Sequence, residues 1–344
     1  MTSEELRHRA TELSRIPLAT LPTPLADAPR FAEWVGHGVR IYLKRDDLTD
    51  IGYGGNKLRK LEFSLAAAKS EGCDVIVHGL AAQSNYCRQT AAAAAKIGMS
   101  CHLVLRRDHK AENPPQANRL LDYVFGATVH MVADGGEQQA AKTRLIEKLK
   151  AEGHKPYLVG RRDEVFGAVA YALCMAEIQE QLSAAGATAD AICVSGRSGT
   201  QAGLVLGKRL LGIKANILGF AVAPEESPET SEKANLNCAK IAIDGGKFLG
   251  VDERFGAADI QNTDDYSGPR YGEPSALGIE TLLALGRTEG LVVGPVYTAK
   301  GLSGVVESVR NGTIKPGSTV VFVHTGGTSE VFAYNAEVFD HLNG

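Results

Sequence analysis

Val75-Ile76-Val77-His78, then Tyr86 to Ile97, then Cys101-His102-Leu103-Val104-Leu105 succeed one another as a short apolar run, an alanine-rich run halted by Gly98, and a second short apolar run. The outer two have strand length and composition, and the middle one is long enough for a helix. Strand, helix and strand in that order make a parallel pair joined by a crossover. The same rhythm extends upstream, with a strand at Ile41-Tyr42-Leu43-Lys44 and a helix over Leu58 to Ser70. Downstream, a polar loop around Asn113-Pro114-Pro115 leads to a helix near Gln116 to Val124. A strand over Thr128 to Val132, a helix near Gln138 to Lys150 and a strand over Pro156 to Val159 follow. From Phe166 a helix runs through Glu180, followed by a strand over Ala191 to Val194 and a helix near Gln201 to Leu210. Ile217 to Val222 and Thr319 to His324 are two further strands. The expected fold is α/β, with two open twisted parallel sheets in two domains. The boundary is placed near Lys155 to Val165, so that residues 1–56 and 161–344 form a larger domain and 57–160 a smaller one.

A chain of 344 residues with 44% hydrophobic content suffices for such cores. The net charge of -3 carries no electrostatic footprint for nucleic acid or an anionic membrane surface, and no apolar run approaches the length of a bilayer span. The polar start Met1-Thr2-Ser3-Glu4-Glu5 lacks the apolar segment of a signal peptide, so a cytoplasmic location is the default expectation. Six cysteines are scattered without a CxxC pair, several in apolar runs, which suits buried thiols rather than disulfides or zinc; no metal site is expected.

The candidate chemistry starts at Gly54-Gly55-Asn56-Lys57-Leu58-Arg59-Lys60. Two glycines let the chain pass close to a bound group, Asn56 is positioned to cap the helix, and Lys57 stands beside the positive end of that helix. An amine there loses its proton more readily and suits Schiff-base formation. Taken alone, Lys57 is more simply a solvated first-turn lysine. Three loops at the C-terminal ends of expected strands add to it. Gly79 to Gln89 places Ser84 and Asn85 at a helix start, either as a plain N-cap or as a site for a carboxylate. Ser195-Gly196-Arg197-Ser198-Gly199-Thr200 has the position of a phosphate cradle but lacks the lysine-serine ending of a nucleotide loop. His324-Thr325-Gly326-Gly327 repeats the strand-to-glycine pattern. A nucleophilic lysine, a carboxylate loop and a monophosphate loop together fit pyridoxal 5'-phosphate.

At Lys44 to Thr49, Gly54 to Phe63, Gln83-Ser84-Asn85 with Arg88-Gln89-Thr90, Thr200 to Leu204, Pro295-Val296-Tyr297-Thr298 and His324 to Gly327, the sequence resembles the D-cysteine desulfhydrase and 1-aminocyclopropane-1-carboxylate deaminase family. The resemblance runs from about Leu21 to Val338. It implies a tryptophan-synthase-β-like (fold type II) pyridoxal phosphate enzyme, a homodimer, acting on a small amino acid. It further implies a Schiff base at Lys57 and cofactor contacts from Asn56, Asn85, Gly196, Arg197, Ser198, Gly199, Thr200, Thr298, Thr325 and Gly326. Substrate contacts are implied for Gln83, Ser84 and Asn85, with Lys57 and Ser84 as the groups that move protons. Tyr271 and Tyr297 match positions near the substrate, which implies a catalytic part in orienting Cα or shuttling a proton, and as residues they are equally packed aromatics with a hydroxyl at a wet edge.

In the deaminase the residue after the Pro-Val-Tyr tyrosine is a glutamate; here it is Thr298. A hydroxyl supports a neutral pyridine nitrogen, sufficient for Cα deprotonation and loss of a β leaving group. β-Elimination giving pyruvate and ammonia is therefore favoured over cyclopropane opening. The chain departs from the family at Gly160-Arg161-Arg162-Asp163-Glu164, at Arg197-Ser198, and at Thr328-Ser329. Arg161, Arg162 and Arg197 either face solvent and pair with Asp163 and Glu164, or one of them reads a second substrate anion, as for cysteate. An amino-acid racemase and a non-catalytic cofactor-binding protein remain alternatives.

Overall fold

The computed structural model describes residues 1–107, 110–111 and 113–343. The chain begins with α1 (Ser3–Ala10), β1 (Leu25–Asp27), α2 (Pro29–Val35) and β2 (Arg40–Lys44). A run of α3 (Lys57–Ser70), β3 (Val75–His78), α4 (Asn85–Lys96), β4 (Ser100–Arg106), α5 (Ala117–Val124), β5 (Thr128–Val132), α6 (Gly135–Ala151) and β6 (Pro156–Leu158) follows. The remainder is α7 (Arg161–Ala184), β7 (Ala191–Ser195), α8 (Gly199–Leu211), β8 (Asn216–Phe220), α9 (Pro228–Phe248), β9 (Gln261–Thr263), α10 (Ala276–Glu289), α11 (Thr298–Arg310), β10 (Thr319–Val323) and α12 (Asn335–Asn343).

Two sheets result, one of six strands ordered β1-β2-β10-β7-β8-β9 and one of four ordered β5-β4-β3-β6. Every pairing is parallel except the edge pair β1–β2. The central strand β10 shows why apolar runs carried the signal: Val320 to Val323 are fully buried, as strands covered by helices on both faces must be. No helix among the described residues is long and apolar enough to cross a membrane. No group of three or more metal-ligating side chains occurs among them either, and all six cysteines are free thiols.

Helix α3 is shared between the two cores. Phe63 and Ala67 pack with α7 and the six-stranded sheet, while Leu58, Leu61, Leu65 and Ala68 pack with the four-stranded one. Its first turn is fixed by buried charge. Arg59 makes paired hydrogen bonds of 2.8 Å to both oxygens of Asp46 and to both oxygens of Glu177, and Lys44 reaches Glu177 at 2.7 Å. A buried arginine is stable only with this many partners, so the geometry of the network fixes where α3 begins.

Candidate active site

Lys57 stands where α3 starts, and the approach to it explains the glycines. Gly54 and Gly55 have φ of 62° and 126°, the left-handed side that glycine tolerates. A Cβ on Gly55 would sit 2.5 Å from the Gln89 side chain, and one on Gly326 would sit 2.8 Å from the Gly55 Cα. The Lys57 loop and the His324 loop therefore run against each other, and the Asn56 N–H donates to the Thr325 carbonyl at 3.0 Å.

Asn56 does not cap α3. Its backbone is already helical, and its Nδ2 donates to Thr200 Oγ1 at 3.0 Å, tying this loop to the start of α8. The cap comes from α4: Gln89 Oε1 accepts the N–H groups of Lys57 at 2.9 Å and Leu58 at 3.2 Å. Gln89 lies inside a motif the sequence reading quoted, yet 32 residues away from the helix it caps.

The Lys57 amine is half-buried, 5.8 Å from the centroid of the Tyr86 ring, and Lys60 Nζ lies 4.0 Å from the same ring. Burial, and then the neighbouring Lys60 charge, bring Lys57 down to about 8 against an opposing pull from Glu164. The direction is the one expected for a nucleophilic amine, but the leading cause is desolvation. Glu164 bridges the site. Its Oε1 pairs with Lys60 at 2.5 Å and its Oε2 accepts the Gly199 N–H at 2.9 Å. Burial opposes its charge, yet Lys60 and Lys57 outweigh that and hold it at about 2.

The loop Ser195 to Gly199 follows β7 and opens α8. Gly196 takes φ 86°, Ser198 makes no side-chain cap bond, and Ser195 Oγ is buried without a hydrogen-bond partner among the described residues. Apart from the Gly199 N–H, which Glu164 accepts, the first-turn N–H groups of α8 are thus not covered by a side-chain cap, as an anion site requires. Arg197 does not join them. Its guanidinium is engaged by Glu225 and Asn262, each at 3.0 Å, and by Ser231 at 3.4 Å.

At the end of β3, Ser84 Oγ accepts the N–H groups of Tyr86 and Cys87, both at 3.2 Å, so Ser84 is an N-cap that retains its own proton for donation. Gln83 turns away from the site. It donates to the carbonyls of Lys110 and Gln116 and accepts the Asn118 N–H at 3.0 Å, bracing that loop rather than meeting a substrate. Asn85 is held from both sides: its Nδ2 donates to Glu330 Oε1 at 2.5 Å, and its Oδ1 accepts from Asn118 at 2.9 Å and Arg88 at 3.3 Å.

After β10, Gly326 and Gly327 take φ of 94° and 86°. His324 is buried with Nδ1 accepting from the Gly326 N–H at 3.2 Å and Nε2 3.1 Å from the Val292 carbonyl. These partners place its proton on Nε2, and burial pushes its pKa down. Thr298 begins α11 fully buried, donating to the Gly326 carbonyl at 2.6 Å. Tyr271 and Tyr297 hydrogen-bond each other through their hydroxyls, with ring centroids 5.9 Å apart. Burial, then Tyr271, raise Tyr297 well above its usual range.

Arg161 and Arg162 leave the substrate assignment. Gly160 to Glu164 is not a loop but the start of α7, because Asp163 accepts the Gly160 N–H at 2.6 Å and closes the turn. Arg161 is exposed and bonds Asn237 at 2.9 Å. Arg162 pairs with Glu71 beyond the last residue of α3, on the order of 20 Å from Lys57 at 1.5 Å per residue. Neither they nor Arg197 pair with Asp163 or Glu164. Unassigned by sequence were Lys60, Gln89, Glu164, Glu330 and Arg106, whose guanidinium carbon lies 6.0 Å from the Tyr271 ring centroid.

A half-buried amine with a lowered pKa, a helix start after β7 whose own N-cap side chain makes no bond to it, and a glycine loop after the neighbouring strand β10 fit the aldehyde, the phosphate and the ring of pyridoxal phosphate. Comparison with known proteins agrees. A solved structure described as that of an ACC deaminase homologue matches with a TM-score of 0.85 at 31% identity, covering 98% of this chain and 99% of that one. The model of the pyridoxal-phosphate dependent enzyme family matches residues 16–326. The chain is a member of that family of α/β enzymes and depends on pyridoxal phosphate.

Proposed function

We propose that this chain catalyses β-elimination on a small β-substituted amino acid, in the manner of a D-cysteine desulfhydrase, releasing pyruvate, ammonia and the β substituent. The observation that carries the reaction type is Thr298, a buried neutral hydroxyl already donating to Gly326, at the position where the deaminases carry a carboxylate. Pyridoxal phosphate supplies the electron sink that stabilises negative charge at Cα. Lys57 holds the cofactor and, once displaced by substrate, takes the Cα proton on its Nζ; an amine with a pKa of about 8 does this near neutrality. The electron pair of the broken Cα–H bond expels the β substituent with the Cβ–S electrons. With one water taken up, D-cysteine becomes pyruvate, ammonia and hydrogen sulfide. Ser84, whose oxygen is occupied by two N–H donors, directs its proton to the substrate carboxylate. Tyr297, kept protonated and bonded to Tyr271, orients the substrate or delivers a proton.

Arg106 favours a second reading, an acidic substrate such as cysteate with sulfite leaving. It is the β4 residue that bridges to Ala81 in the Ser84 loop, stands over Tyr271, and its side chain makes no hydrogen bond or ion pair among the described residues. Arg106→Met is expected to raise KM for L-cysteate about tenfold or more while leaving KM for D-cysteine unchanged. A homodimer is supported by exposed apolar side chains Leu120, Tyr123 and Val124 on α5 and Phe332 and Phe339 near the C-terminus, and a cytoplasmic location by six unpaired thiols.

The test is product release across D-cysteine, L-cysteate, D-serine, β-chloroalanine and the cyclopropane amino acid, with chiral analysis of recovered substrate. Pyruvate from a thiol or sulfonate substrate, abolished in Lys57→Ala, is the expected result. Turnover of the cyclopropane substrate alone, or racemisation without pyruvate, contradicts the proposal.

A further inference from the structure

Glu330 lies in the short helical turn Thr328–Ala333 after the Gly326-Gly327 loop and is 1% exposed. Its one side-chain hydrogen bond runs from Asn85 Nδ2 to Oε1 at 2.5 Å, the Val296 backbone N–H also acts on the carboxylate, and Oε2 is buried without a well-formed hydrogen bond among the described residues. Oε2 is pressed toward two glycines, for a Cβ added at Gly294 would come within 2.6 Å of it and one at Gly327 within 3.2 Å. The groups facing it are Asn85 and Arg88 on α4, Lys300 on α11, and Tyr297 just before α11. Burial outweighs Asn85, Arg88, the Val296 backbone N–H and Lys300 and raises its pKa to about 8. A carboxyl group kept there at such a desolvation cost is not filler.

Its side-chain partner, Asn85, is the informative one. Arginine can only donate, so the Asn85 atom facing Arg88 is the oxygen, and Asn118 Nδ2 donates to the same oxygen. The Asn118 amide is fixed in turn: its Nδ2 also reaches the Gln83 carbonyl at 2.9 Å, and its Oδ1 accepts from Ser329 Oγ at 2.6 Å. Asn85 thus has its oxygen filled by two donors and one N–H spent on Glu330. Its second N–H remains uncommitted among the described residues, beside Gly327, 3.2 Å from where that residue's Cβ would be. An acceptor on one side and two donors on the other hold the amide in a single orientation.

We propose that Glu330 is a positioning residue: by accepting from Asn85 it fixes that amide with an N–H, and not its oxygen, presented to the anionic oxygens of bound pyridoxal phosphate. Glu330 also joins the glycine loop after β10 to the start of α4, so both sheets contribute to one hydrogen bond. The inference rests on the assignment of Asn85 to the cofactor and is independent of which substrate is used.

The experiment compares Glu330→Gln, Glu330→Leu and Asn85→Ala by three readouts: the pyridoxal phosphate dissociation constant of the apoprotein, the pH midpoint of the visible absorption band of the loaded protein, and thermal unfolding of the apoprotein. Glutamine still offers an oxygen to Asn85, so its affinity is expected within about threefold of wild type, whereas leucine weakens binding by about 10- to 100-fold. Losing a donor to an anionic oxygen disfavours the deprotonated form, so Glu330→Leu and Asn85→Ala are expected to move the band midpoint upward by about one unit, with Glu330→Gln unchanged. A merely structural role would lower the unfolding temperature without moving that midpoint. Glu330→Met replaces the leucine variant if the latter does not fold. Wild-type affinity and midpoint in the apolar variant, alongside losses in Asn85→Ala, overturn the inference, as does a glutamine variant as impaired as leucine. If Asn85→Ala also binds cofactor normally, the Asn85 assignment falls and the inference with it. A failed substrate panel leaves all three readouts intact.

Discussion

Replacing Lys57 with methionine is expected to stabilise the apoprotein at neutral pH, and the gain should vanish as pH rises. The folded amine titrates at about 8 against 10.5 for an ordinary lysine, so the unfolded chain holds the proton more tightly. Stability is therefore diminished in full below the folded value and recovered between about 8 and 10.5. At 1.36 kcal/mol per unit, the cost to wild type is at most about 3 kcal/mol at pH 7, about 2 at pH 9 and less than about 1 at pH 10. Solvent reaching the half-buried amine screens part of this, so the figures are ceilings. At about 2 °C per kcal/mol, Lys57→Met should melt about 3–6 °C above wild-type apoprotein at pH 7, with the gap nearly closed at pH 10. Parallel thermal melts at pH 7, 8, 9 and 10 check it. No gain at pH 7, or a gain that stays constant across the series, refutes the claim that the site strains the charged amine.

Arg59→Met should cost about 3–5 kcal/mol, because it leaves Asp46 and Glu177 buried without their shared partner; thermal or urea unfolding reads this directly. Gln89→Leu removes the acceptor for two N–H groups at the start of α3 and should cost about 1–2 kcal/mol, while Gln89→Glu, which still accepts, should recover most of it.

The inner strand Val75–His78, buried at all four residues, was legible to the residue because a strand covered on both faces reads as a short, nearly continuous apolar run. Three-residue edge strands such as β1 and β9 carry no such run. Helix α9 was missed, and its last turn carries Gly245 and Gly246, of which a Cβ at Gly245 would lie 2.7 Å from that of Ala168. Glycine there serves close packing on α7, a requirement set by a distant segment. The site divides the same way. The three loops and Lys57 were visible because each is a local pattern of glycine, hydroxyl and lysine after a strand. Their partners were not: Gln89 capping α3, Glu164 meeting Gly199, and Glu330 meeting Asn85 across 245 residues are choices made by the tertiary fold. The arginines misled for a related reason. Asp163 turned their loop into a helix start and sent Arg161 and Arg162 outward.

The central claim is that Lys57, and not a neighbouring amine, carries the cofactor. Loading the protein with pyridoxal phosphate, reducing it with borohydride and mapping the modified peptide by mass spectrometry tests this directly, since Lys60 is three residues away and Lys300 is also brought down to about 8. A pyridoxyl group confined to Lys57 and absent from Lys57→Ala is the expected result; labelling of Lys60 or Lys300, or of no lysine at all, contradicts the account.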